Sequence, residues 1–332
     1  MAGALIAEHN YFWVGVERTE IPGIGTATTG EHMFVSYFVP AERRRELPIV
    51  FVHGGGGQGV AFIGRGDGSP GWLHHALAAG YTVYIVDRPG YGRNPPHPKL
   101  VGDMSHPTPH EGMTPLFKVA AAGGRWPGSG DVGDPLVDAF MAQQRPMRGE
   151  TAAYAQEVTR RRAVELLERI GEAIVITHSA GGPFGWLAAD TAPKLVRALV
   201  SVEGIGPGTL AIPLTYDPPV ASVEELGLIA LAEEPDIDWG PLAGVPRRAQ
   251  PEPARRLPNL ARVPIAIVTT EDPRFAQLNR DAIAYLREAG CTVEDIRLRE
   301  RGISGNGHMV PIEDNNGEVL ALILDWVERA LA

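Results

Sequence analysis

The sequence predicts one α/β domain, a mostly parallel central sheet flanked by helices and interrupted by two irregular insertions. Three observations carry this. Short, largely apolar runs recur at residues 48–53, 81–87, 173–176, 195–202 and 263–270, as expected of parallel strands buried on both faces. Segments of helical spacing fall between them, so strand, crossover helix and strand alternate along the chain. The apolar run 173–176 also breaks at Thr177-His178-Ser179-Ala180-Gly181 into a new helical pattern from Pro183, a strand-to-helix junction with a serine at its apex.

Taken in order, residues 11–21 and 31–39 read as strands, with Gly23-Ile24-Gly25 and the threonine-rich stretch after it as turns. The stretch 33–39 is rich in β-branched and aromatic residues, which suit a pleated, half-buried surface. Residues 48–53 form a strand that runs straight into Gly54-Gly55-Gly56-Gly57-Gln58-Gly59. Residues 72–79 read as a helix stopped by Gly80, and 81–87 as a strand that turns away at Arg88-Pro89-Gly90. From 94 to 149 the rhythm fails: prolines and glycines are frequent, and only 135–144 reads as helical. A stretch that long without framework periodicity argues for a functional insertion. Residues 150–170 form a long amphipathic helix, the serine turn follows, and 195–202 is a strand ending at Glu203-Gly204. A second Pro-rich insertion spans 205–259. Strand 263–270, helix 274–289, strand 292–298, the glycine-rich loop 302–308 and a closing helix 318–331 complete the chain. The expected organisation is one domain over 1–332 with 94–149 and 205–259 as cap segments over the site.

Composition excludes several functions. Lys and Arg total 30 against 40 Asp and Glu, a net charge of -10, and no long basic run offsets it, so neither nucleic acid nor a membrane surface is an expected partner. The single cysteine, Cys291, excludes an internal disulfide and any multi-cysteine metal site. The N-terminal residues 1–9 lack a basic leader, and their apolar run is too short to export the chain or span a bilayer. With Met1 as the natural start, a cytoplasmic location is expected; a trimmed sequence would hide a signal peptide. No cofactor and no metal are expected, and a homodimer is among the expected assembly states.

The chemistry centres on Ser179. Ala180 and Gly181 are small enough to let a sharp turn close beside it, and the helix that follows aims N–H groups at the same place. Thr177 stands where the G-x-S-x-G pattern has its first glycine. A serine hydroxyl needs a base, and the base needs a carboxylate to orient it. Of ten histidines, eight precede the turn, His178 lies within it, and only His308 follows. His308 sits after the last predicted strand, in flexible Gly305-Asn306-Gly307, with Met309 leading to the closing helix. Two carboxylates compete for the third role. Glu203 ends the strand after the turn, and Asp272, beside Glu271, ends the next one. Both stand at the C-terminal edge of the sheet, where sites of open α/β folds collect, and position alone leans to Asp272. For an oxyanion, the turn supplies the Ala180 N–H, and the glycine loop supplies Gly55, with Gly56 the alternative.

These residues together resemble the α/β-hydrolase fold and, more narrowly, the Alcaligenes-type bacterial serine esterases. The motifs that carry the resemblance are His53-Gly54, Thr177-His178-Ser179, Val202-Glu203 and Gly305-Asn306-Gly307-His308-Met309. The resemblance covers the framework from about residue 10 to the C-terminus, outside the two insertions, and it implies a Ser-Glu-His triad with Glu203 rather than Asp272 as the acid. Where the type member of that group has adjacent cysteines in the oxyanion loop, this chain has Gly55-Gly56, so substrate preference does not carry over.

Other readings are weaker. Residues 54–59 satisfy G-x-G-x-x-G literally, but Asp87 lies 28 residues beyond Gly59 and the loop follows the third strand rather than the first, which disfavours a dinucleotide site. His106 and His110 have the i, i+4 spacing of a metal pair, yet Pro107 and Pro109 forbid a helix there. Phe117, Trp126, Met113 and Trp239 are candidates for lining a substrate pocket in the insertions, ordinary packing onto the core being the competing account. The expected function is hydrolysis of small-molecule carboxylic esters, lactones included, through an acyl-enzyme on Ser179. The alternative is a non-hydrolytic lyase or small-molecule receptor on the same scaffold.

Overall fold

The computed structural model describes residues 6–95, 108–145 and 152–332. The strands are β1 (Ile6–Val14), β2 (Arg18–Ile21), β3 (Gly25–Thr28), β4 (Met33–Pro40), β5 (Ile49–Val52), β6 (Val83–Asp87), β7 (Ala173–His178), β8 (Val196–Val202), β9 (Ile229–Ala230), β10 (Arg248–Ala249), β11 (Ile265–Thr269) and β12 (Val293–Arg297). Eight of them form one sheet in the order β1-β4-β6-β5-β7-β8-β11-β12. The first two pairings, β1 with β4 and β4 with β6, are antiparallel. From β6 to β12 every pairing is parallel.

Alternation along each buried strand divides the core into two layers, because successive side chains of a strand point to opposite faces. Val50 and Val52, Val175, Leu199, and Ile265 and Ile267 face one layer. Ile49 and Phe51, Ile174 and Ile176, Val200, and Ala266 and Val268 face the other. The first layer is covered by the helices Ala152–Ile170, Gly182–Thr191 and Pro273–Glu288, and the second by Trp72–Ala78 and Asn316–Leu331. Strands apolar on both faces are therefore what two helical layers require.

The insertions supply a third apolar cluster. Met113, Leu116, Phe117, Ala120, Trp126, Val137, Phe140 and Met141 of the first pack with Trp239 of the second, and with Phe275, Leu278, Met309 and Ile312 of the framework. Asp134 caps the helix Pro135–Met141 through the Leu136 N–H at 2.9 Å and also accepts from Trp126 Nε1.

Several boundaries differ from the sequence reading. The run expected as one strand over 11–21 is two, β1 and β2, and the threonine-rich stretch expected as a turn is β3, paired antiparallel with β2. The first insertion holds more helix than its composition suggests: His110–Met113 and Pro115–Ala122 precede Pro135–Met141. Prolines obscured them, but Pro115 sits in the first turn, where its missing N–H costs nothing. A short helix, Val60–Ile63, also follows the glycine loop. The helix expected from 150 begins, within the described residues, at Ala152. Of the candidate metal pair, His106 lies outside the described residues, and His110 contacts Asp138. Among the described residues no group of three His, Cys, Asp or Glu side chains could hold a metal ion, and no helix is long and apolar enough to cross a membrane.

Candidate active site

β7 ends at His178, and the chain turns at Ser179 with φ of 53°. That left-handed conformation costs a non-glycine residue of order 1 kcal/mol or more, and it is held by close packing. A Cβ on Gly181 would lie 2.7 Å from the His53 carbonyl oxygen. A Cβ on Gly54 would lie 2.5 Å from Ser179 Cβ and 3.1 Å from its Oγ. The glycines are thus what lets the turn and the β5 loop touch. Ser179 is one of two non-glycine residues with positive φ among the described residues; the other is Glu203, at 48°.

His308 reaches the turn from the far end of the chain. Its Nε2 lies 2.9 Å from Ser179 Oγ. Its ring stacks on Phe275, with centroids 3.7 Å apart and planes 8° apart, and lies 4.7 Å from the His178 ring. The His178 Nε2–H donates to the His308 carbonyl oxygen at 2.8 Å. Below the loop, the buried Glu313 carboxyl accepts from Asn306 Nδ2 at 2.7 Å and from the Gly307 N–H at 3.1 Å. Burial pushes that carboxyl up to about 8.

The two candidate acids have different surroundings. Glu203 is fully buried, and its Oε1 accepts from the Thr270 N–H at 2.7 Å. Its Oε2 stands 3.7 Å from His308 Nδ1, and neither atom has a hydrogen-bond partner among the described residues. Asp272 caps the helix Pro273–Glu288 through the Arg274 N–H at 3.0 Å and pairs with the Arg274 guanidinium, Nε at 2.8 Å and Nη2 on Oδ2. Both Asp272 oxygens therefore face the helix terminus and the arginine. Burial, with the Asp272 charge nearby, raises the Glu203 carboxyl well above the usual carboxylate range. Burial, then His178 and Arg274, hold the His308 imidazole well below its ordinary value.

The glycine loop is braced from beneath. The Arg88 N–H donates to His53 Nε2 at 3.1 Å, and His53 Nδ1 faces the Gly54 carbonyl oxygen at 3.1 Å. Nδ1 therefore carries the ring proton. Burial, followed by the Arg88 charge, lowers His53 to about 3, so the ring is a neutral brace. Asp87, the acid weighed for a ribose, instead accepts from the Gly59 N–H at 2.7 Å and is held by Arg93. Gly55 has φ of 44° and its carbonyl accepts from Arg88 Nη2 at 2.6 Å.

Two cavities meet at this loop. One, of about 440 Å³ counted out to its mouth, is lined by Gly54, Gly55, Ser179 and His308 with Met113, Leu116 and Phe140. The other, about 860 Å³ on the same measure, is lined by Gly55 and Ala180 with Arg88 and Tyr91. Of the four pocket candidates from the insertions, Met113 lines the first cavity. Phe117, Trp126 and Trp239 line neither, being packed in the insertion cluster. Gly56 lines neither cavity, and its carbonyl accepts from the Arg145 N–H. Phe275, His178 and Glu313 were not singled out by sequence for the parts they take around His308. No spacing signals a ring stack, and a glutamate five residues past a histidine marks nothing by itself.

Comparison with known proteins fits this geometry. Residues 48–232 match a family described as the alpha/beta hydrolase fold. A probable secreted lipase named phiG, from Fungal sp. (strain ATCC 74256), is 32% identical over 343 residues, covering 95% of this chain and 91% of its own. The solved structure of a novel bacterial esterase superposes with a TM-score of 0.70 at 21% identity, covering 100% of this chain and 98% of that one. The description of the lipase as secreted sits uneasily with the cytoplasmic location expected from the N-terminus. With a family match over more than half its length and a relative alignable almost end to end, the chain belongs to the alpha/beta hydrolase fold family.

Proposed function

We propose that this protein hydrolyses carboxylic esters, lactones included, through an acyl-enzyme on Ser179. The observation that carries the reading is the 2.9 Å approach of His308 Nε2 to Ser179 Oγ, at the mouth of an apolar cavity. His308 takes the hydroxyl proton as Oγ attacks the carbonyl carbon, then returns it to the departing alcohol oxygen; water, deprotonated by the same ring, cleaves the acyl-enzyme. The developing oxyanion is held by the Gly55 and Ala180 N–H groups, on the loop and turn that line the two cavities. Glu203 orients His308 through Nδ1, and the pair closes from 3.7 Å as the imidazolium forms and the carboxylate becomes its counter-charge. The two cavities flanking Gly55 give room for the acyl and alcohol halves of one ester, and the described parts of the two insertions, 108–145 and 205–259, act as the cap above them. Support from outside the chain is that its relatives include a lipase and an esterase by description.

Burst kinetics with short p-nitrophenyl esters test the reading. A stoichiometric p-nitrophenol burst that disappears in Ser179→Ala is expected. Turnover that survives Ser179→Ala, or no acylation with any ester or lactone, would leave a lyase or a ligand receptor on the same scaffold as the better account.

A further inference from the structure

The wall of the Ser179 cavity is apolar along Met113, Leu116, Phe140, Met309 and Ile312. The side-chain amides of Gln58, Gln143 and Gln144 interrupt it. Gln143 Oε1 and Gln144 Nε2 are sealed from solvent, yet neither has a hydrogen-bond partner among the described residues. Both residues follow the helix Pro135–Met141, and their segment is fastened to the oxyanion loop. The Arg145 N–H donates to the Gly56 carbonyl at 3.0 Å, and Gln58 Nε2 donates to the Gln143 carbonyl at 3.4 Å. The Gln144 amide lies directly against the glycines: a Cβ on Gly57 would stand 3.2 Å from its Nε2, and one on Gly55 3.7 Å from its Oε1.

An amide donor or acceptor buried without a partner gives up its hydrogen bonds to water and gets nothing in return. Leucine or methionine would fill this wall without that cost, so the two amides call for a partner that enters with a ligand. A donor and an acceptor presented together are complementary to a hydroxyl, which accepts at oxygen and donates its proton. We propose that Gln143 and Gln144 select esters that carry a neutral hydroxyl on the chain entering the Ser179 cavity, the hydroxyl donating to Gln143 Oε1 and accepting from Gln144 Nε2. The enclosed part of the cavity is small, which restricts that chain to a few carbons. The proposal rests on the ester-hydrolase reading and adds substrate class to it. A site built to hydrogen-bond a hydroxyl rejects the apolar analogue far more strongly than an apolar pocket resolves one methylene.

Matched pairs of esters, in which a hydroxyl replaces a methyl of the same size, test it. Ethyl lactate is compared with ethyl isobutyrate, ethyl 3-hydroxybutyrate with ethyl 3-methylbutyrate, and 2-hydroxyethyl butyrate with propyl butyrate. The readout is the ratio of kcat/KM within each pair, so a general loss of activity cancels. In the wild-type protein at least one pair is expected to favour the hydroxyl by about tenfold or more. In the double variant Gln143→Met, Gln144→Met that ratio is expected to fall below about threefold, with a thermal transition confirming the fold. Ser179-dependent turnover of the esters without any hydroxyl preference would overturn this inference and leave the hydrolase reading standing. So would a preference that survives in the double variant. Absence of Ser179-dependent turnover for every ester would overturn both.

Discussion

Glu203 Oε2 faces His308 Nδ1 across 3.7 Å of buried space, with no other partner for either atom among the described residues. An orphaned acceptor and an orphaned ring nitrogen so placed are costly at rest and become favourable once the ring is protonated, because an ion pair in a low-dielectric site is strong. The Glu203 backbone at φ of 48° adds a local strain that packing must hold. Both features make sense if the pair serves the charged state of the reaction rather than the resting fold.

Substitution at the two acids should separate these roles. Glu203→Gln is expected to lower kcat by roughly 10²–10⁴-fold with a nearly unchanged unfolding midpoint, as when a buried triad acid is replaced by its amide. Asp272→Asn breaks the buried Arg274 pair and weakens a helix cap, so it should cost about 2–4 kcal/mol of stability while kcat of the folded fraction stays within about tenfold. Steady-state kinetics and denaturant unfolding on both variants measure this. A kcat collapse in Asp272→Asn alone would move the acid's role to residue 272.

Strain at the serine turn predicts a trade between stability and activity. Ser179→Gly and Ser179→Ala should both abolish turnover. Glycine tolerates φ of 53° and alanine does not, so Ser179→Gly should be the more stable variant by about 0.5–1 kcal/mol. Equal unfolding midpoints for the two would mean that the turn stores no such strain.

The Phe275 stack on His308 should be worth about 1 kcal/mol, the size of an aromatic pair beyond its buried area. Phe275→Leu is therefore expected to lower kcat/KM by roughly fivefold as the ring gains freedom. Phe275→Tyr should restore most of it if the added hydroxyl finds room. Rates that are unchanged in the leucine variant would assign Phe275 to insertion packing alone.

Glu313 carries the pH prediction. Its folded value, about 8, lies above the ordinary 4.5. The folded protein thus holds a proton that the unfolded chain has released, and the stability contributed is present below about pH 4.5 and lost as pH rises through 8. Thermal midpoints should decline over that window in the wild type by the equivalent of a few kcal/mol. In Glu313→Gln the decline should flatten, at the cost of a looser His308 loop and a lower kcat. Parallel pH profiles for the two proteins would remove Glu313 as the cause.

Sequence alone determined the framework and singled out the candidates for its chemistry. Apolar runs long enough for a strand but too short for a helix, alternating with amphipathic stretches, can bury themselves only in a parallel sheet between two helical layers, and β5 to β8, β11 and β12 lie where those runs are. Ser179 was legible because a strand that becomes a helix within a few small residues has little other use, and His308 because no other histidine follows it. Tertiary structure decided what local pattern does not encode. Glu203 and Asp272 both end strands, and only the fold shows one facing an imidazole and the other spent on Arg274. Prolines at 109 and 115 read as irregularity, while packing of Phe117 and Trp126 against Met309 and Phe275 supports short helices there. The unpaired amides of Gln143 and Gln144 are likewise invisible in one dimension, because whether a polar atom finds a partner is settled by neighbours drawn from distant parts of the chain.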